Sequence, residues 1–120
     1  MGLESFVSGK VGEDLAVDYL SKKGYMIIDR NFHSSQGEVD IIAKDGAFLV
    51  FVEVKNYTVR SLGTPLGSLR RSKRESIIHA ATTYIYKNNI RNVNCRFDVL
   101  AIYNMERFEL IKDAFYVGKG

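Results

Sequence analysis

The feature that most constrains the fold is residues 37–55, where two apolar runs flank the dipeptide Asp45-Gly46. This dipeptide is a strong signal for a β-hairpin, because both central residues of a type I′ turn need positive φ angles, which Asp and Gly tolerate. A loop made of Asp45 and Gly46 pairs Lys44 with Ala47 and thereby sets the register of the whole hairpin.

The register decides where the charged side chains of the hairpin point. Stepping back along the ladder places Asp40 opposite Phe51 and Glu38 opposite Glu53. Side chains alternate with a period of two, and paired residues share a face. We therefore expect four charged residues on one face: Glu38, Asp40, Glu53 and Lys55. A four-residue loop predicts the same pairing, whereas a three-residue loop would put the acids on opposite faces.

The second strand of this hairpin is apolar from Ala47 to Val52 and ends in Glu53, Val54 and Lys55. An unbroken apolar run is typical of a central strand that is covered on both faces. Charges at the rim of a core are costly unless they pair with each other, with a metal or with a ligand. One explanation is that Glu53 and Lys55 are solvated where the strand emerges.

The other explanation is a divalent-metal site, because the hairpin brings Asp40 close to Glu53. Two ionised carboxylates repel each other, and a hard cation such as Mg²⁺ or Mn²⁺ relieves the repulsion through oxygen ligands. A neighbouring ammonium can orient an attacking water or neutralise charge that develops on a phosphodiester. We therefore predict Asp40 and Glu53 as metal ligands and Lys55 as a catalytic residue.

The formal net charge of +3 is unevenly distributed along the chain. Residues 1–53 contain nine acids and five Lys or Arg, whereas residues 54–97 contain one acid and nine Lys or Arg. An acidic region with the metal ligands followed by a strongly basic region is expected where a cation and a polyanion meet. The distribution therefore favours a nucleic acid as partner.

Four of the basic residues lie close together at the start of a predicted helix that ends near residue 88: Arg70, Arg71, Lys73 and Arg74. Residues 72–75 match a capping box, which would start the helix at Ser72. A start nearer Ser68 would crowd the four cations at the helix N-terminus, against the helix dipole. In both cases we predict contacts with phosphates, and the alternative is a solvated surface. The Gly- and Ser-rich loop 56–68 is well placed to close over a bound strand.

The other elements follow from apolar periodicity and turn residues. They are a helix over 9–23 with Ser8 as N-cap, a strand over 25–32, a loop over 33–36, a strand over 95–103, an edge strand over 106–112 and a tail over 113–120. We therefore predict an α/β fold with a mixed sheet of about five strands flanked by helices.

The length of 120 residues, 46% of them hydrophobic, predicts one folded domain over 1–120. No apolar stretch approaches the roughly 20 residues that a membrane-spanning helix needs, and no signal-peptide pattern opens the chain. Cys95 is the only cysteine, which excludes an internal disulfide. We expect a cytoplasmic protein without a membrane partner.

An Asp followed by Glu-x-Lys on a neighbouring strand resembles the PD-(D/E)xK nuclease superfamily, which has the restriction-endonuclease-like fold. A closer resemblance, to the bacterial UPF0102 (YraN) family, covers nearly the whole chain. It rests on six motifs in this order: Gly12-Glu13-Asp14-Leu15-Ala16, Gly24-Tyr25, Arg30-Asn31, Gly37-Glu38-Val39-Asp40-Ile41-Ile42, Phe51-Val52-Glu53-Val54-Lys55 and Arg96-Phe97-Asp98.

The resemblance implies an endonuclease-like fold related to archaeal Holliday junction resolvases, and so a metal-dependent endonuclease acting on DNA, with branched DNA as a candidate substrate. It also implies that Glu13, otherwise a helix-end acid like Asp14, is a further metal ligand. Many relatives carry an arginine two positions after the lysine, where this chain has Tyr57, so Arg60 is the candidate for that phosphate contact. By analogy with resolvases, which cut two strands, we expect a homodimer.

Two other functions are compatible with the sequence. The first is a nucleic-acid-binding module of the same fold without catalysis, which the presence of Asp40, Glu53 and Lys55 together argues against. The second is a protein-interaction domain, which predicts neither metal binding nor salt-sensitive DNA binding.

Overall fold

The computed structural model describes residues 2–57 and 69–115, with side chains described from residue 11 onward. Its elements in chain order are α1 (Gly2–Lys22), β1 (Met26–Ser34), β2 (Gly37–Asp45), β3 (Phe48–Tyr57), α2 (Arg71–Lys87), β4 (Asn94–Tyr103) and β5 (Arg107–Phe115). The α/β class and the number of strands predicted from the sequence are confirmed. Within the described residues, neither helix is long and apolar enough to cross a membrane.

The five strands form one sheet in the order β1-β2-β3-β4-β5. Strands β3 and β4 are parallel, and the other three neighbouring pairs are antiparallel, so the sheet is mixed as predicted. A parallel pair needs a long crossover connection, and α2 lies in that connection. Strand β3 is central and β5 is an edge, in agreement with the sequence patterns.

The hairpin turn differs from the prediction by one position. Asp45 pairs with Phe48, so the loop is Gly46-Ala47 and not Asp45-Gly46. Of the two loop residues only Gly46 has a positive φ angle, 60°, as in a type II′ turn, which takes glycine at its first central position. Asp45 stays in the strand, where its carboxylate accepts a hydrogen bond from Arg96 at 2.7 Å. This long-range contact favours the alternative turn.

The turn changes the predicted register by two residues. Ile42 pairs with Phe51 and Ile41 with Val52, whereas the prediction placed Asp40 opposite Phe51. Because side chains alternate with a period of two, a shift of two residues keeps Asp40 and Glu53 on a common face. The next step of the ladder brings Asp40 beside Glu53.

Two apolar cores explain why β3 has no polar alternation. Val50 and Val52 pack in a core beneath α1, which also contains Leu20. Leu49 and Phe51 pack on the opposite face in a core beneath α2. By the same alternation, the next odd-numbered side chains of β3, including Glu53, point toward the α2 face.

The N-terminal helix is longer than predicted. It begins at Gly2 rather than Gly9, so the predicted N-cap Ser8 lies inside the helix. A serine costs only a few tenths of a kcal/mol relative to alanine in a helix interior, so it does not enforce a helix start. The helix ends at Lys22, and Gly24 follows with a φ angle of 97°, as the sequence predicted.

Two strands also extend past their predicted ends. Strand β1 continues to Ser34, so His33 lies in a strand and not in a loop. Strand β5 continues to Phe115, which is buried and stacks on Phe97 with ring centroids 4.9 Å apart. Residues 113–115 are therefore strand and not tail, because this aromatic contact belongs to the core. Residues 116–120 lie outside the described part of the chain.

Candidate metal centre

The candidate centre lies where β2 and β3 stop pairing. The last backbone pair is Ile41 with Val52, and beyond it the Oδ2 atom of Asp40 accepts a hydrogen bond from the backbone N–H of Val54 at 2.8 Å. The carboxylate thus replaces a backbone acceptor of the ladder. This bond holds Asp40 next to Glu53 at the end of the strand pair.

Glu53 is buried, with 5% of its surface exposed. Within the part of the chain that the structure describes, Asp98 is the only other buried charged residue. The Oε2 atom of Glu53 lies 3.6 Å from the Nζ atom of Lys73 on α2. Its Oε1 atom is buried and has no hydrogen-bond partner among the described residues. An unpartnered buried carboxylate oxygen is energetically costly, so this atom requires an explanation.

The two carboxyl groups strongly affect each other. Burial raises the pKa of Glu53 to about 8, and the negative charge of Asp40 adds to the rise. Burial also raises the pKa of Asp40, and the hydrogen bond from Val54 partly offsets that rise. The two carboxyl groups are therefore difficult to ionise together. A divalent cation bound by both would favour the ionised form of each.

The remaining members of the predicted group lie close by. The positive charge of Lys55 acts on Glu53, and the negative charge of Glu38 acts on Asp40. Glu38 also has its own partner, because its Oε2 atom lies 3.1 Å from the Nδ1 atom of His33. The sequence did not predict this contact of His33, because it placed that residue in a loop.

Glu13 lies on a different side of the sheet. It belongs to α1, and its Oε1 atom accepts hydrogen bonds from Arg30 at 2.7 Å and from Asn31 at 2.9 Å. Arg30 also binds Asp14 at 2.6 Å. In the described part of the chain, Glu13 does not form a cluster of three metal-binding side chains with Asp40 and Glu53, the carboxyl pair. Its role as a metal ligand stays a prediction.

Of the three predicted ligands, the structure brings together two, Asp40 and Glu53, as a candidate site for a hard divalent cation. No group of three or more His, Cys, Asp or Glu side chains in the described residues is arranged to hold a metal. Asp40 and Glu53 nevertheless offer adjacent carboxylate oxygens, one of them unpartnered. Mg²⁺ is commonly bound through one or two carboxylates, with waters and substrate phosphates as its other ligands. Two carboxylates are therefore enough for such a site.

The predicted capping box at the start of α2 is wrong. The helix begins at Arg71 with Arg70 as N-cap residue, and no side chain caps it. Glu75 is then the fifth helical residue, too far along to reach the N-cap, and it pairs with Arg71 at 3.3 Å. Leu69, immediately before the N-cap residue, is buried in the core.

All four predicted cations therefore lie at the N-terminus of α2, and its first turn contains no acid. Arg70 is exposed, Arg71 is 74% exposed, and Arg74 donates to the backbone oxygen of Leu69 at 3.2 Å. Because Lys73 contacts Glu53, this end of α2 lies next to the carboxyl pair. Arg60 lies outside the described residues.

A second charged network, which sequence reasoning missed, lies at the start of β4. Asp98 is fully buried and accepts hydrogen bonds from Tyr25 at 2.7 Å and from Arg96 at 2.9 Å. Arg96 also binds Asp45 next to the hairpin turn, at the opposite end of β3 from Glu53. The motif Arg96-Phe97-Asp98 is thus a structural element, and no local pattern indicated its distant partners.

Comparisons with known proteins identify the family of the chain. The chain matches the model of "Uncharacterised protein family UPF0102" over residues 12–102. A UPF0102 protein of Persephonella marina is 43% identical over 111 residues, which cover 92% of this chain and 95% of the relative. A UPF0102 protein of Clostridium kluyveri is 41% identical over 114 residues, which cover 91% of this chain and 93% of the relative. The chain belongs to the UPF0102 family.

Proposed function

We propose that this protein is a metal-dependent nuclease that hydrolyses phosphodiester bonds of DNA, with branched DNA as a candidate substrate. The observation that carries the proposal is the adjacent pair of half-buried Asp40 and buried Glu53, in which Glu53 Oε1 has no partner among the described residues. Two adjacent acids that are largely shielded from water destabilise a fold unless something compensates them, and groups with perturbed pKa values are concentrated at functional sites. A hard divalent cation would compensate both.

The chemistry follows from the positions of three side chains. Asp40 and Glu53 would hold Mg²⁺ or Mn²⁺, and the hydrogen bond from Val54 orients the Asp40 carboxylate for this purpose. The cation would supply Lewis-acid polarisation of the phosphate and would lower the pKa of the attacking water. Lys55, two residues after Glu53 on the same face, would orient that water or neutralise charge that develops on the phosphate.

The basic end of α2 supports a polyanionic substrate. A helix N-terminus carries partial positive charge, and four cations there repel each other unless an anion is near. The backbone phosphates of DNA are suitable anions. The four cations lie next to the carboxyl pair, because Lys73 contacts Glu53. The same surface would therefore bind the backbone while the carboxyl pair acts on one phosphodiester.

A second candidate is a nucleic-acid-binding module without catalysis. The observation that favours it is that two of the proposed catalytic acids already have cationic partners, Glu13 with Arg30 and Glu53 with Lys73. Such a module would use the basic end of α2 and would not need a metal. It would bind DNA with the same salt dependence but would not cleave it.

A cleavage assay separates the two candidates. Purified protein is incubated with branched, flapped, single-stranded and duplex DNA in Mg²⁺ or Mn²⁺. The variants Asp40→Asn and Asp18→Asn are assayed in parallel with the wild type. Asp18→Asn is the matched control, because it alters an exposed acid that pairs with Lys22 on α1. We expect cleavage by the wild type and by Asp18→Asn, and none by Asp40→Asn. Binding of DNA without cleavage of any substrate by the wild type would exclude the nuclease and favour the module.

A further inference from the structure

Lys73 is the only described residue of α2 that forms an ion pair with the carboxyl pair. Its Nζ atom lies 3.6 Å from Glu53 Oε2, and its side chain is 36% exposed, whereas that of Glu53 is 6% exposed. Its charge acts on both carboxyl groups, Glu53 and Asp40. The distance is longer than a hydrogen bond, so the contact is electrostatic and not geometrically locked.

The position of Lys73 in the helix is unfavourable by itself. It is the third residue of α2, where the partial positive charge of the helix N-terminus disfavours a cation. The other cations of the first turns have different partners: Arg71 pairs with Glu75, and Arg74 donates to the backbone oxygen of Leu69. Lys73 is therefore the cation of α2 that offsets the charge of Glu53 when this carboxyl is ionised, and Lys55 of β3 acts on the same carboxyl.

The docking of α2 holds Lys73 in this place. Gly37, the first residue of β2, lies directly against the backbone of Ser76, one helical turn after Lys73, and a Cβ atom at position 37 would overlap the Ser76 carbonyl oxygen. The helix backbone is thus closely packed on the sheet. The lysine side chain, with four flexible methylene groups, is the part of the contact that can move.

We propose that Lys73 is an internal counter-cation of the centre: a divalent cation displaces its ammonium from Glu53, and the released ammonium then binds a phosphate of DNA. This inference rests on the proposed function. The reason is electrostatic, because an ammonium and a divalent cation repel each other when both contact one carboxylate. A divalent cation interacts more strongly with two carboxylates than one loosely held ammonium does.

The consequence is positive coupling between metal and DNA. Metal binding adds one cation to the surface that faces the phosphates, so DNA binds more tightly when the metal is present. Coupling between binding sites is reciprocal, so DNA also strengthens metal binding. Lys73 thus links the two ligands, whereas Arg70 and Arg71 would contact phosphates whether or not the metal is bound.

The first test measures Mg²⁺ affinity without DNA, by calorimetry at mildly alkaline pH so that protons compete less for Glu53. We expect Lys73→Met to bind Mg²⁺ roughly fivefold to tenfold more tightly than the wild type, because the competing ammonium is gone. Lys87→Met, a matched change in the last turn of the same helix, should leave the affinity unchanged. Equal or weaker Mg²⁺ binding by Lys73→Met would overturn the inference.

The second test uses only proteins that keep Lys73 and therefore does not depend on the folding of Lys73→Met. DNA affinity is measured over a range of salt with and without Ca²⁺, a hard cation used here as a probe of the centre. We expect Ca²⁺ to steepen the salt dependence of the wild type by about one charge. Asp40→Asn, which loses a metal ligand, should show no such change. An equal salt dependence with and without Ca²⁺ in the wild type would also overturn the inference.

The outcomes separate this inference from the proposed function. Absence of Mg²⁺ binding by the wild type would overturn both. Mg²⁺ binding that Asp40→Asn abolishes and Lys73→Met does not alter would overturn only the role of Lys73. Tighter Mg²⁺ binding by Lys73→Met, with a smaller gain of DNA affinity on addition of Ca²⁺ to that variant than to the wild type, would support both.

Discussion

Asp40 and Val54 are joined by a hydrogen bond in which a side chain of β2 accepts the backbone N–H of β3 at 2.8 Å. The bond ties the end of the strand pair together where the ladder stops, one residue past Glu53. It gives Asp40 a structural role besides its proposed role as a metal ligand. The two roles can be separated by substitution.

Asp40→Asn and Asp40→Ala should therefore differ in stability and agree in function. Asparagine keeps an acceptor oxygen for the Val54 N–H, whereas alanine leaves that donor unpaired, which costs about 1–3 kcal/mol. Both remove a charge that holds a hard cation, so both should lose Mg²⁺ binding and cleavage. Urea denaturation and calorimetric titration measure the two effects. Full Mg²⁺ affinity in Asp40→Asn would contradict the assignment of this ligand.

Lys55→Ala should keep the metal and lose most of the cleavage rate. The substitution removes an ammonium beside the carboxyl pair without changing a ligand, and general catalysis of this kind contributes roughly 10²-fold or more. Single-turnover cleavage and Mg²⁺ titration of the same preparation separate rate from metal binding. Lys44→Ala, at an exposed position of β2, is the matched control and should cleave at the wild-type rate. Equal rates for both variants would remove Lys55 from the mechanism.

The stability of the metal-free protein should fall as the pH rises. The pKa of Glu53 is raised by burial, and then by the charge of Asp40, from about 4.5 to about 8. The folded state therefore binds a proton more tightly than the unfolded state, and this contribution is complete below about 4.5 and lost as the pH rises through about 8. The loss should amount to a few kcal/mol.

Thermal unfolding in a chelator at several pH values measures this effect. Glu53→Gln has no charge to bury, so its stability should change less over the same range. Addition of Mg²⁺ at the alkaline end should restore stability to the wild type and not to Glu53→Gln. A wild-type stability that stays level or rises over this pH range, relative to Glu53→Gln, would show that the pKa of Glu53 is not raised in the folded protein.

Arg70→Ala should weaken binding to DNA of any sequence and flatten its salt dependence by about one charge. The reason is that an exposed arginine before α2 would contact a backbone phosphate and no base. Binding isotherms at several salt concentrations measure the slope. Lys22→Ala, an exposed lysine in the last turn of α1, should leave the slope unchanged. DNA binding that does not respond to salt would favour the protein-interaction domain.

Gly37→Ala should destabilise the protein and disturb the centre together. The added methyl group would overlap the backbone of Ser76, which cannot rotate away as a side chain could. Overpacking of this kind costs typically about 1–3 kcal/mol, and a displaced α2 would also move Lys73 away from Glu53. Thermal unfolding and Mg²⁺ titration measure both consequences. Ser35→Ala, in the exposed turn before β2, should behave like the wild type.

The sequence by itself determined the class of fold, the central place of β3 and the common face of Asp40 and Glu53. These properties depend on local rules, because an apolar run of this length must be covered on both faces and side chains alternate strictly along a strand. The common face was predicted correctly although the turn was not, because the error in register was an even number of residues.

Only the tertiary structure decided the contacts between distant elements. Arg96 binds Asp45 across 51 positions and so selects the hairpin turn, and Arg30 holds Glu13 on the α1 face. Lys73 reaches Glu53 because α2 docks closely on β2 at Gly37. No local pattern encodes such contacts, since each depends on how separate segments pack once the sheet has formed. The raised pKa values of Asp40 and Glu53 have the same origin, because burial is a property of the whole fold.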